Sequence, residues 1–264
     1  IIGGGGAGFN ASNFTGVGKV DVGVDNANNA FTVNSGATFE ITSDQTTGLD
    51  FDFSAAGGGD LTIIAGDDNG TSTAVGTIVL NALNAAAAAA TTVGNVTIEA
   101  SIANVDTTGV TLGAKQNLIV TGDENVTLSD IGGTETVTAD SVDASGSSGI
   151  ITINVEDTAN VANVDSVTTG SGNDIIKGLY GNDILNGGSG NDTINGGSGQ
   201  DTAVFSDKSN RIKLATRKKQ NTRDGKDILI GIENVNAGGG NDIVIGSKSG
   251  NVLNGASGND RLTG

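Results

Sequence analysis

Over positions 1–168, apolar side chains recur at every second position in short bursts, as in Phe39/Ile41, Phe51/Phe53, Val96/Ile98 and Ile151/Ile153/Val155. This is the period of a strand with one buried face, because successive side chains point to opposite sides of a sheet. The pattern predicts strands over 19–24, 30–34, 38–42, 49–54, 60–65, 76–83, 95–100, 117–121, 125–129 and 149–156, separated by Gly, Asn and Asp. Helix is scarce; alanines 85–90 form the one low-complexity run and suit a short helix or a small-residue turn. Strands this short and evenly spaced fit either a parallel solenoid or a β-sandwich, and periodicity does not choose between them.

From Thr169 the rhythm tightens to a period of nine. The chain reads TGSGNDIIK, GLYGNDILN, GGSGNDTIN and GGSGQDTAV, then resumes with AGGGNDIVI, GSKSGNVLN and GASGNDRLT. Aspartates fall at Asp174, Asp183, Asp192, Asp201, Asp242 and Asp260, with Asn251 where another is expected. Two residues before each aspartate stands a glycine: Gly172, Gly181, Gly190, Gly199, Gly240 and Gly258. Further glycines open the loops at Gly170, Gly188 and Gly197, and an amide residue precedes each aspartate: Asn173, Asn182, Asn191, Gln200, Asn241 and Asn259. Ile176, Leu185, Ile194 and Ala203 occupy the apolar position two residues after it.

Each unit offers a six-residue loop and a three-residue strand whose middle side chain points inward, so two units close one flattened coil and every second unit stacks. Adjacent strands lie about 4.8 Å apart. Asp174 and Asp192, and likewise Asp183 and Asp201, are therefore brought close, and like charges at that range repel unless a cation lies between them. With no cysteine and no histidine in the chain, only oxygen ligands remain. Calcium suits such a cage, taking roughly six to eight oxygens at about 2.3–2.6 Å, whereas magnesium demands a tight octahedron. Glycine lets the loops adopt positive φ and turn carbonyls inward. The expected ligand region thus comprises the six aspartates, Asn251 as a weak member, and the glycines and amide residues named above. Ordinary Asp-Gly turns would not hold glycine, aspartate and an apolar residue at one offset through four contiguous units. A three-residue strand with one apolar side chain does not hold such a coil, so metal binding and folding should be one event. Upstream, Gly58-Gly59-Asp60 and Gly66-Asp67-Asp68 carry a fragment of the pattern, making Asp60 and Asp67 further candidates.

Some positions depart from the repeat. Leu179 and Tyr180 stand where glycine and a small residue are expected, with Tyr180 placed on the surface, and Ser249 and Asn251 replace a glycine and an aspartate. The step from Asp201 to Asp242 is not a multiple of nine, so residues 206–226 are expected to loop out and 227–235 to rejoin as a strand.

The chain carries 30 acidic and 13 basic residues, a net charge of −17 that repels nucleic acid. Residues 1–168 hold 20 acidic and 2 basic residues, residues 169–264 hold 10 and 11, and eight of the basic ones lie in 208–226. No apolar run is long enough to cross a bilayer, so membrane insertion is not expected. The chain contains no methionine and its start lacks the features of an export signal, which reads as a piece of a longer polypeptide.

The nonapeptide resembles the calcium-binding repeat of the RTX family. The resemblance implies an all-β fold in which 169–264 forms a right-handed parallel β-roll, with repeat blocks 169–205 and 237–264, joined to an acidic, strand-rich assembly region over 1–168. It implies several bound Ca2+ ions and an extracellular protein exported by a type I system. Such repeats occur in serralysin-type proteases, pore-forming toxins, alginate epimerases, large adhesins and the surface-layer proteins of Gram-negative bacteria. A zinc protease needs histidines and a pore-forming toxin long apolar helices, and this sequence has neither. Its Val-, Thr-, Ala-, Asn- and Gly-rich strands resemble the assembly regions of surface-layer proteins. The expectation is a structural protein, not an enzyme, that self-associates into a lattice at the cell surface, with lipopolysaccharide as a further candidate partner. A large adhesin or matrix protein, or the solenoid part of a polysaccharide lyase or epimerase, is the alternative; no carboxylate pair or aromatic sugar platform stands out for the enzyme.

Overall fold

The structure is a computed structural model that describes residues 9–10, 20–22, 29–33, 37–41, 45–53, 61–65, 77–84, 95–101, 104–107, 110–111, 117–131, 141–155 and 165–264. Asp60, Asp67 and alanines 85–90 lie outside the described residues.

All ten strands predicted upstream are present, the largest difference being at Gln45–Phe53, which begins earlier than expected. Phe9–Asn10, Asn104–Thr107, Val110–Thr111 and Ser141–Ser147 add to them, and no helix occurs among the described residues. Alternate strands enter alternate sheets. One sheet runs from Phe9–Asn10 through Val126–Ile131, Ile151–Val155, Ile175–Lys177 and Thr193–Asn195 to Lys226–Ile230. The other runs from Val20–Val22 through Asn95–Ala100, Asn117–Gly122, Ser141–Ser147, Ser166–Thr168, Ile184–Asn186 and Thr202–Val204 to Asn234–Asn236 and Leu253–Asn254. Among the described residues the pairings are parallel, except that Gln220–Asn221 runs antiparallel to Lys226–Ile230. A sandwich is built from antiparallel strands. Of the two readings left open by periodicity, the upstream region follows the solenoid.

Register gives the length of each coil. Upstream, Asn117 bonds to Asn95 across a sequence step of 22, whereas Ile150 bonds to Asn125 across a step of 25, so successive coils differ in length. In the repeats Ile176 pairs with Ile194, Leu185 with Ala203 and Val244 with Leu262, always two nonapeptides on. The core is a file of inward side chains between the sheets. Val96, Ile98 and Ala100 are all fully buried on one upstream strand, whereas each repeat strand contributes one residue, such as Ile176, Leu185, Ile194 or Ala203.

Residues 206–226 depart from the expected loop. The nonapeptide rhythm continues past Asp201 to Asn210, and Ile212, one unit after Ala203, is fully buried. Its strand Arg211–Lys213 opens a third sheet with Ile243–Ile245 and Arg261–Thr263. The chain leaves the rhythm after Leu214 and returns through Thr222–Asp227, which stacks on the 187–192 loop. The expected strand over 227–235 is two strands, Lys226–Ile230 and Asn234–Asn236, broken at Gly231 with φ +58°.

Candidate metal centre

Each aspartate of the repeat turns inward at the start of its strand, and one carboxylate oxygen caps the coil before it. Oδ1 of Asp192 accepts the backbone N–H of Asp174 at 2.9 Å, and Asp201 does the same for Asp183 at 2.9 Å. Asp183 accepts from Asp165 at 3.1 Å, Asp174 from Ile151 at 2.8 Å, Asp242 from Asn210 at 2.7 Å and Asp260 from Asp242 at 2.9 Å. Strand starts would otherwise leave these N–H groups unpaired in the interior, so the ladder answers a backbone requirement.

The second oxygen has a different fate. Oδ2 of Asp174, Asp201 and Asp242 is buried and makes no hydrogen bond. An unanswered carboxylate oxygen inside a protein is costly. The cost appears as proton affinity: burial pushes the Asp174, Asp201, Asp227 and Asp242 carboxyls above the usual range. Asp192 is pushed up to about 7, first by burial and further by the charges of Asp227, Asp174 and Asp224. Without a cation, Asp192 competes for a proton near neutral pH, and the others hold theirs more tightly than a solvated carboxyl does.

The glycines answer to close approach between coils. Gly188 packs on the carbonyl of Gly170, Gly190 on Gly172, Gly199 on Gly181 and Gly258 on Gly240, while Gly197 packs on Leu179. At Gly190, with φ +138°, a Cβ would fall 1.7 Å from the Gly172 oxygen. All the predicted loop glycines have positive φ except Gly170 and Gly172. Within a loop the constraint is the carboxylate itself, since a Cβ on Gly196 would lie 2.4 Å from Asp201 Oδ2. The amide residues form a second ladder on the outside. Asn173 Oδ1 accepts the N–H of Asn191 at 2.8 Å, Asn182 that of Gln200 at 2.8 Å, and Asn241 that of Asn259 at 2.8 Å. Asn251 closes its own loop on the Ser247 N–H at 2.7 Å and donates to the Glu233 carbonyl at 2.7 Å. Tyr180 is 41% exposed and Leu179 adopts φ +65° at a position made for glycine.

Among the described residues no three acidic side chains converge on one point. A cation here would be met by one or two carboxylates and by the carbonyls that stack beside them, a donor set of hard oxygens that fits calcium.

A family model described as the RTX calcium-binding nonapeptide repeat (4 copies) matches residues 168–203 and 228–262. The chain carries RTX calcium-binding repeats. RTX nonapeptides bind Ca2+, and buried aspartates recur through the matched residues, Asp174, Asp201 and Asp242 among them. No curated protein and no solved structure matches the chain.

Three members of the RTX ladder fall outside the repeat blocks 169–205 and 237–264. Asp165 is fully buried one unit before Asp174, but no glycine marks its loop. Asp227 caps Asp192 at 2.9 Å and takes the hydroxyl of Thr222. Its Gly225-x-Asp227-x-Leu229 spacing is that of a repeat, but the long step from Asp192 breaks the count. Glu233 reaches Asp201 N–H at 3.1 Å from a shortened loop, the longer side chain making up for the missing residues.

Proposed function

We propose that this chain is a calcium-dependent extracellular structural protein, a surface-layer component that folds outside the cell and self-assembles there. The observation that carries the reading is the pairing of one-residue-deep repeat strands with buried carboxylates, which makes the folded RTX stack conditional on a divalent ion. Bound there, calcium would supply the positive charge that the free carboxylate oxygens of Asp174, Asp201 and Asp242 lack, with those oxygens and neighbouring carbonyls as its donors. The protein's own parts do the rest: Oδ1 of each aspartate holds the preceding coil in register, the amide ladder seals the outer edge, and the glycines let backbones approach. Repeat proteins of this type are typically exported by type I secretion, and sites weak enough to stay empty inside the cell, with affinities on the order of 10⁻⁴–10⁻³ M, keep such a chain unfolded before export. No described helix is long and apolar enough to cross a membrane.

Self-association draws support from the acidity of residues 1–168, whose repulsion between copies would fall as calcium binds. The exposed basic tip at Arg217, Lys218 and Lys219 offers a contact for a partner copy or for lipopolysaccharide. Negative-stain electron microscopy of the purified chain during a calcium titration tests the proposal. Ordered arrays at millimolar calcium that dissolve in chelator are expected; a folded, calcium-loaded monomer at every concentration would overturn it.

A further inference from the structure

The stack of loops along one edge crosses a break. The loops at 187–192 and 222–227 belong to the first sheet, whereas those at 205–210, 237–242 and 255–260 precede strands of the third sheet. Loop 205–210 nevertheless lies between its neighbours. On one side Gly239 N–H donates to Asp207 at 2.7 Å and Asn210 N–H to Asp242 at 2.7 Å. On the other, Ser206 donates to Asp224 through its N–H at 2.9 Å and through its hydroxyl.

At this step the carboxylate ladder changes its chemistry. Asn210 stands in the aspartate position, and its Oδ1 is buried and accepts no hydrogen bond. Lys208 stands where other loops carry the glycine two residues before the aspartate, and its Nζ lies 3.1 Å from Asp224 Oδ1. The Asp224 side chain is 4% exposed while Lys208 is 53% exposed, so the carboxylate is buried and the stem of its cation reaches in from solvent. A carboxylate this buried needs a positive partner.

We infer that the junction between loops 222–227 and 205–210 is a calcium site whose ion has been replaced by the Lys208 ammonium. Asp224 is compensated by a cation of the chain itself, and the edge crosses the sheet break without binding metal there. This rests on calcium binding by the repeats and stands whether or not copies assemble.

The test is calcium stoichiometry of the full chain by equilibrium dialysis, with circular dichroism confirming folding. Lys208→Gly restores the glycine of the repeat and should bind one more ion per chain than the parent, while Lys208→Arg should bind the same number. Should the glycine variant fail to fold, Asp224→Asn decides: unchanged stoichiometry is expected, because no ion uses this carboxylate. An Asp224→Asn variant that binds one ion fewer, or a folded Lys208→Gly variant that binds no more than the parent, overturns the inference.

Discussion

The coils around Asn95–Ala100 and Asn117–Gly122 and the RTX coils share one architecture but are held together differently. Upstream, a strand buries Val96, Ile98 and Ala100 together, while Ile175–Lys177 buries Ile176 alone. At about 1.5–3 kcal/mol for a large apolar side chain, one per strand does not offset about 1–2 kcal/mol of backbone entropy for each of three strand residues and six loop residues. The polar ladder differs in parallel. Upstream the N–H groups at the aspartate position are met by main chain: Val105 N–H donates to the Asn125 carbonyl at 2.9 Å and Val126 N–H to the Ile150 carbonyl at 3.0 Å. A backbone carbonyl therefore suffices to cap a coil at this position, and the aspartates of the repeats must serve something besides register. The extra charge and the second oxygen are what an amide lacks, and both point to the cation.

Removing calcium should separate the two regions most sharply. In hydrogen exchange with chelator, amides of 165–264 should exchange as in an unfolded chain, while those of Asn95–Ala100 and Asn117–Gly122 keep their protection. Equal loss in both would merge the regions. Next in size, Leu118→Ala should cost about 2–5 kcal/mol of stability to chemical denaturant, the same with and without calcium, since it removes fully buried apolar volume from a coil held by packing.

At Asp192 the two roles of the carboxylate can be parted. Asp192→Asn keeps an acceptor for the Asp174 N–H and should lower calcium affinity of the adjoining coils by about tenfold, or roughly 1.4 kcal/mol. Asp192→Ala should lower it similarly and add about 1–3 kcal/mol of folding cost for the abandoned N–H. Calorimetric titration beside thermal melts in excess calcium distinguishes the variants.

Acidity should act on the metal-free repeats with a definite sign. A carboxyl whose pKa rises on folding holds its proton more tightly in the fold, so its contribution is fully present below the unfolded value near 4 and is lost as pH rises through about 7 for Asp192. Metal-free repeats, unfolded at about pH 7.5, should thus gain β-structure by circular dichroism as the pH falls toward about 4, whereas with calcium they should be more stable at the higher pH. The smallest effect is expected at Leu179, where Leu179→Gly relieves a left-handed backbone and should stabilise the calcium-bound form by about 1 kcal/mol.

The repeat region was legible because its constraints are local and recur. Asp174, Asp183, Asp192 and Asp201 sit at one offset, so one coil explains the next, and the stacking of alternate units follows from counting. Legibility failed where the count broke. Asp227 and Glu233 occupy ladder positions, yet the excursion between Leu214 and Thr222 and the short loop at Gly231 shift both out of phase, so only spatial stacking reveals them. Upstream, alternation exposed ten strands but missed others such as Asn104–Thr107 and Ser141–Ser147, and it did not give the pairing, because coils of unequal length leave no fixed period to read. The inward role of Gly196 depends on where Asp201 points, and the outward role of Asn191 on Asn173 one coil away; neither follows from residue type.

Anomalous diffraction near the calcium-sensitive wavelengths, from crystals grown in millimolar calcium, puts the central claim to the sharpest trial. Peaks are expected beside the free carboxylate oxygens of Asp174, Asp201 and Asp242, with none in the coils of Asn95–Ala100 and Asn117–Gly122. Repeat loops stacked as described here but devoid of such peaks would contradict the account.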